Sequence, residues 1–203
     1  MSYKSPTPEI IFSSLHVWKA ISRPSITSTV RFGSLVTART TDITTFGIVH
    51  QIQHEPSDTV HIPMPLGKSM KELERDHPTS FPFLQTTLHC LTCGYAEDGT
   101  IQYRWPPIPP AIHTLVHQAT QDQYKQFFMR PAAIAMLLSL GSHIQHLDEL
   151  LLALLAELER LQILSPTIIE QFFESFSLTT GNDYRRLKSF LQRAESSFSW
   201  HTI

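Results

Sequence analysis

The run Arg104–His113, RWPPIPPAIH, constrains this chain more than any other stretch. It holds four of the fourteen prolines. Each proline removes a backbone donor and forces the preceding residue into extended geometry, so neither a helix nor a central strand can pass through. Composition also changes across the run. Before Ala111 there are twelve prolines, five glycines and seven leucines; from Ala111 on there are two, two and sixteen. The run therefore predicts a boundary between two kinds of structure, residues 1–110 and residues 111–203.

The first part reads as short strands and turns. Residues 9–21 fit a helix or a strand equally well. Residues 26–39 are rich in β-branched side chains and are interrupted at Phe32-Gly33-Ser34, where a bulge or bend is expected. After a Thr/Asp turn, Ile48, His50 and Ile52 should share one strand face, and Gly47, Val49 and Gln51 the other. Val60–Met64 is a further short strand candidate, and residues 67–77 read as a polar helix ending before Pro78. Residues 85–95 and 100–105 read as a hairpin, because Asp98-Gly99 is a strong turn signal. Five or six short strands with one helical excursion predict a small β-barrel.

The second part reads as helices. Ala111–Gln118 is expected to open one directly after the prolines. Thr120 and Gln123 have capping-box spacing, so a segment should restart there and run to Met129. Pro131 suits a first helical turn, and Gly141 an end. Over 144–163, seven leucines from Leu147 to Leu161 recur at three- and four-residue steps, which predicts a central helix with a broad apolar stripe. Ser165-Pro166 starts another helix, and Asn182 can cap a last one. The fold class predicted is α+β, a small N-terminal β-barrel followed by a C-terminal helical bundle.

Composition narrows the function. A net charge of −2 supplies no electrostatic pull toward nucleic acid. Two cysteines do not make a disulfide scaffold. The N-terminus lacks the basic start and apolar core of a signal peptide, and the longest apolar run, Leu150–Ala156, is far shorter than a membrane span. A cytoplasmic protein without a membrane partner is expected.

The chemical candidates are few. Cys90, Cys93, His113 and His117 have C-x2-C-x19-H-x3-H spacing, which could close a tetrahedral zinc site if the histidines share a helix face. An ordinary strand over 86–95 would instead turn the two cysteines to opposite faces. Gly67-Lys68-Ser69 resembles the end of a phosphate loop, but Ile62 stands where the first glycine belongs, so a helix start is the better reading. His143 and His146 read as surface residues. Arg185, Arg186, Lys188 and Arg193 form the solvated face of the last helix. Arg31/Phe32 and Tyr103/Arg104/Trp105 are the aromatic–basic pairs that a single-strand-binding barrel would use. Trp105 is expected to plug the barrel end. No catalytic, cofactor-binding or metal residue is assigned; zinc on the four Cys/His residues is the alternative.

One resemblance rests on the order of several pieces. Phe32-Gly33-Ser34-Leu35-Val36 and Phe46-Gly47-Ile48-Val49 resemble paired strands of the form x-G-x-x-V and x-G-x-V. His77-Pro78, Cys93-Gly94-Tyr95, an Asp-Gly turn and Trp105-Pro-Pro-Ile-Pro-Pro-Ala-Ile-His113 follow. Over about residues 28–117 this is similar to the HAS-barrel of HerA-type hexameric ATPases. In that family the barrel precedes a nucleotide-binding domain, whereas here leucine-rich helices follow. The resemblance thus implies the barrel's role alone: subunit assembly or docking of a protein partner, as an adaptor of a DNA-processing ATPase or nuclease complex.

Overall fold

A computed structural model describes residues 7–22, 30–56, 67–69, 72, 75–76, 84–144, 146–181 and 183–197. Strands come first and helices after. The strands are β1 (Glu9–Ser13), β2 (Val17–Ser22), β3 (Leu35–Arg39), β4 (Ile43–Pro56), β5 (Leu84–Glu97), β6 (Thr100–Gln102) and β7 (Val116–Gln118). The helices are α1 (Gln121–Phe128), α2 (Pro131–Ser139), α3 (Leu147–Arg160), α4 (Pro166–Thr180) and α5 (Tyr184–Ser197), with a 3-10 turn at Leu140–His143.

The ambiguous stretch 9–21 is a strand pair, because β1 and β2 bond to each other and β2 bonds to β5. The sheet is antiparallel, in the order β1-β2-β5-β4-β3-β7, with β6 beside β5. It curls into a half-barrel, and its outer strands meet. Ile10 N–H donates to the Thr114 carbonyl, His113 N–H to that of Ile10 and Val116 N–H to that of Pro8. Asp98 and Gly99 form the expected turn between β5 and β6, both at positive φ.

Residues 111–118 are not a helix. Val116–Gln118 pairs with β3, and the residues before it bond to β1. Sheet edges on both sides compete for these backbone groups, and a helix here would leave those edges unpaired. β3 itself is short: Gly33, at φ +83°, turns the chain into it. The Val60–Met64 candidate lies outside the described residues. Of the expected 67–77 helix, Gly67, Lys68 and Ser69 are described and lie outside regular structure, whereas Glu72, Arg75 and Asp76 are helical.

One face of the curled sheet closes on itself. Ile10, Trp18, Ala20, Val36, Val49, Leu88, Cys90 and Val116 form a buried cluster without a helical residue. The other face is covered by helices: Leu35, Phe46, Ile48, Leu91 and Cys93 pack with Tyr124, Phe127 and Phe128 of α1 and with Leu150, Leu154 and Leu158 of α3. The leucine stripe of α3 has a second side. Leu147, Leu151 and Leu155 pack with Phe172 and Phe176 of α4 and Phe190 of α5. A helix apolar on two sides must sit between two layers, and α3 does. It approaches the sheet closely at Gly33, where a Cβ would fall 2.8 Å from the Ala153 Cβ.

The starts of α1 and α4 follow their local signals, whereas the expected cap Asn182 lies outside the described residues and Asp183 accepts from the Arg186 N–H at the start of α5. Thr120 and Gln123 make a reciprocal capping box, and Ser165 accepts from the Ile168 N–H with Pro166 at the first position. Arg186 and Arg193 are not free cations of a solvated face; they pair with Asp148 and Glu149 in the first turn of α3.

Candidate functional site

The structure does not bring the four Cys/His residues together. Cys90 lies in the inner cluster and Cys93 among the residues under the helices, on opposite faces of β5. Burial pushes both thiols up, so neither ionises near neutral pH. His113, at φ +70°, is exposed and hydrogen-bonded through Nδ1 to Glu9. His117 is exposed on β7, opposite Thr37. The helix that was to align the two histidines does not form. Among the described residues, no group of three or more His, Cys, Asp or Glu side chains is placed to hold a metal.

The other candidates also settle into local roles. Ser69 and Glu72 cap each other, through a Ser69 N–H to Glu72 Oε2 bond of 2.8 Å and a hydroxyl bond of 2.7 Å, as a helix start does. Tyr103 packs on Phe127 and donates its hydroxyl to the Phe127 carbonyl at 2.6 Å. Phe32 packs against the cluster under the helices. The aromatic–basic pairs therefore do not make a stacking platform on one sheet face. Arg104 is held by Tyr95, donating to its hydroxyl at 3.1 Å with its guanidinium over the ring.

Trp105 does not plug the half-barrel. It is 45% exposed, and its ring lies 5.8 Å from that of His16 in the β1–β2 turn. Trp18, fully buried, fills the interior instead. Pro106 and Pro110 are buried and anchor the proline run, with Ile108 exposed between them and Trp105 exposed just before them.

Several large apolar side chains remain exposed. Ile11 and Phe12 on β1, Ile112 and Leu115 on the segment bonded to β1, and Trp105 and Ile108 on the run are all open to solvent. Chemically this face can do one thing, which is to bury apolar area against another surface. The outward turn of Ile11 and Phe12 left no periodic signal, because it depends on a register shift between Ile10 and Phe12. Ile108 was legible in principle, since an isoleucine inside a proline run has no strand or helix to carry it inward.

A second cluster lies on β4 and β5. The rings of His50 and His89 are 6.1 Å apart, and His89 Nε2 sits 2.8 Å from Gln53 Oε1. Thr87 and Gln85 donate to Glu55 and hold its carboxyl low. Burial, and then the neighbouring His89, lower His50; burial, and then Lys19, lower His89.

No protein-family profile matches this chain, and no curated protein matches it significantly. None of the helices in the described residues is long and apolar enough to cross a membrane.

Proposed function

We propose that this chain is a non-catalytic assembly module of the HAS-barrel type, acting through protein–protein contact as an adaptor of a DNA-processing ATPase or nuclease complex in the cytoplasm. In this reading the curled sheet is the small barrel, its closure completed by the bonds between β1 and residues 113–116, and the five helices are a bundle seated on its outer face.

The observation that carries the reading is the apolar face along β1 and the proline run, which fits a protein contact. Two further features support it. Gly33 and Gly47, the glycines of the paired motifs, stand where the backbone meets α3 and Trp18 at close range. The proline run leads out of β6 and on to β7, so the chain completes the curled sheet before the helices begin. Direct binding to nucleic acid is not part of the reading, because Phe32 and Tyr103 pack against the cluster under the helices and leave Trp105 as the one exposed aromatic of that set.

Light scattering after size-exclusion chromatography, with affinity capture and cross-linking from host lysate, tests it. Self-association, or a specific protein partner cross-linked through this face, is expected. A strict monomer that retains no protein partner would overturn the reading.

A further inference from the structure

We propose that α5 is a releasable strap over an acid-rimmed aromatic slot on α3 and α4, and that the slot exchanges it for a basic amphipathic helix of a protein partner. The slot is separate from the apolar face along β1.

The hold on α5 is narrow. Over residues 184–194 only Phe190 and Ala194 are buried, whereas α3 is buried on two sides. Phe190 is the anchor. Its ring stacks on those of Phe176, at 4.6 Å, and Phe172, at 5.9 Å, and Leu187 packs against the same cluster. A cavity of about 650 Å³ is lined by Leu138, Gly141 and Ile144 together with Arg186 and Arg193, so α5 does not close on the end of α2 there. An element with so few buried apolar side chains opens before the core does. Once released, a helix of 14 residues is marginal in water and has no other support. The joint is at Gly181, where φ is +60° and nothing lies within 4 Å of an added Cβ.

The charges around the slot define the helix that fits it. Arg186 donates to both carboxylate oxygens of Asp148, at 3.2 and 2.6 Å, and its guanidinium lies 5.7 Å from the centre of the Phe176 ring. Arg193 pairs with Glu149 at 2.7 Å. Both acids stand in the first turn of α3. The arginines fall four residues before and three after Phe190, which puts all three side chains on one helix face. These ion pairs are partly exposed, so salt screens them and each holds α5 only weakly. Their larger effect is on selection, because an acidic helix would meet Asp148 and Glu149 with like charge. A helix with an aromatic anchor flanked by arginines at these spacings meets the same three partners as α5.

The test uses a fluorescent peptide of residues 183–197 added to the full chain, with binding read by anisotropy. The resident strap competes, so weak binding to the wild type is expected. Phe190→Ala in the chain loosens the strap and should tighten peptide binding about tenfold or more, whereas the same change in the peptide should abolish it. Arg186→Gln with Arg193→Gln, both at exposed positions that spare the core, should tighten binding about threefold or more. Hydrogen exchange of the wild type should show α5 amides exchanging about tenfold or more faster than those of α3, and faster still in high salt. Exchange of α5 in step with α3 overturns the strap. Variants that bind the peptide no more tightly than the wild type, or a Phe190→Ala peptide that still binds, overturn the slot.

Discussion

The Trp18 ring packs against Gly47 so closely that a Cβ on residue 47 would fall 2.5 Å from the indole Cζ2. Trp18 is on β2 and Gly47 on β4, with β5 between them. The indole therefore reaches across a whole strand inside the curled sheet, and the glycine makes room for it. A rigid buried ring cannot yield to an added methyl group.

Gly47→Ala is accordingly expected to destabilise the fold by about 1–3 kcal/mol through overpacking. Trp18→Phe should also destabilise it, by opening a cavity, yet the two together should cost less than their sum. A double-mutant cycle by urea denaturation reads the coupling. A neutral Gly47→Ala variant would contradict the close approach.

The Leu35 N–H donates to the Tyr124 hydroxyl at 2.7 Å, a buried bond joining β3 to α1. Tyr124→Phe leaves that N–H without a partner, at an expected cost of about 1–3 kcal/mol. Burial also pushes the Tyr124 hydroxyl up to about 12, against roughly 10 in an unfolded chain. Between those values the unfolded chain has lost the proton and the folded chain keeps it. The stabilisation is thus complete below about pH 10 and is lost as pH rises toward 12. Alkaline denaturation should be shallower in Tyr124→Phe than in the wild type.

The thiols of Cys90 and Cys93 are fully buried and held in the protonated form. Only the thiolate reacts, so a thiol reagent at neutral pH should modify the protein only through its unfolded state. Mild denaturant should raise the rate of modification in step with the unfolded fraction. Because the two sulfurs face opposite sides of β5, a chelator should leave the thermal midpoint where it was. Rapid modification of the native protein, or a drop with chelator, would contradict this placement.

His50 and His89 are both lowered by burial, so the folded state disfavours their protonation. Below about pH 6.5 the unfolded chain takes up protons that the folded chain refuses. The stability they support is present above that pH and lost as pH falls through the depressed values. The thermal midpoint should therefore fall on mild acidification, and His89→Gln should flatten the dependence. An unchanged slope would show that the pair is not responsible.

How far the chain could be read in advance depended on the range of the interaction. Thr120-Gln123, Ser165-Pro166 and Asp98-Gly99 each act on backbone groups a few residues away, and each does what its spacing implies. The broad apolar stripe of α3 was equally plain. Residues 111–118 were misread because their partners, Val36–Ala38 and Pro8–Ile10, are remote in sequence. The faces of β4 were misassigned for a related reason. A register shift between Val49 and Gln51 puts Ile48 under the helices and Ile52 against the inner cluster, although an unbroken strand would place them together.

The candidate site divides in the same way. Cys90 and Cys93 on opposite faces follow from strand geometry alone. The exposed face does not, because it needs the bulge in β1, the return of residues 113–116 to β1 and the anchoring of Pro106 and Pro110. The sequence by itself determined where α1 and α4 begin, where β5 turns into β6, which helix is central and where the proline run halts regular structure, since these depend on neighbours along the chain. Only the tertiary structure decided that the run feeds another strand, that Trp18 rather than Trp105 fills the interior, and that Ile11, Phe12, Ile112 and Leu115 are left outside. Those outcomes depend on which distant edges find each other and how much space the backbone leaves between them.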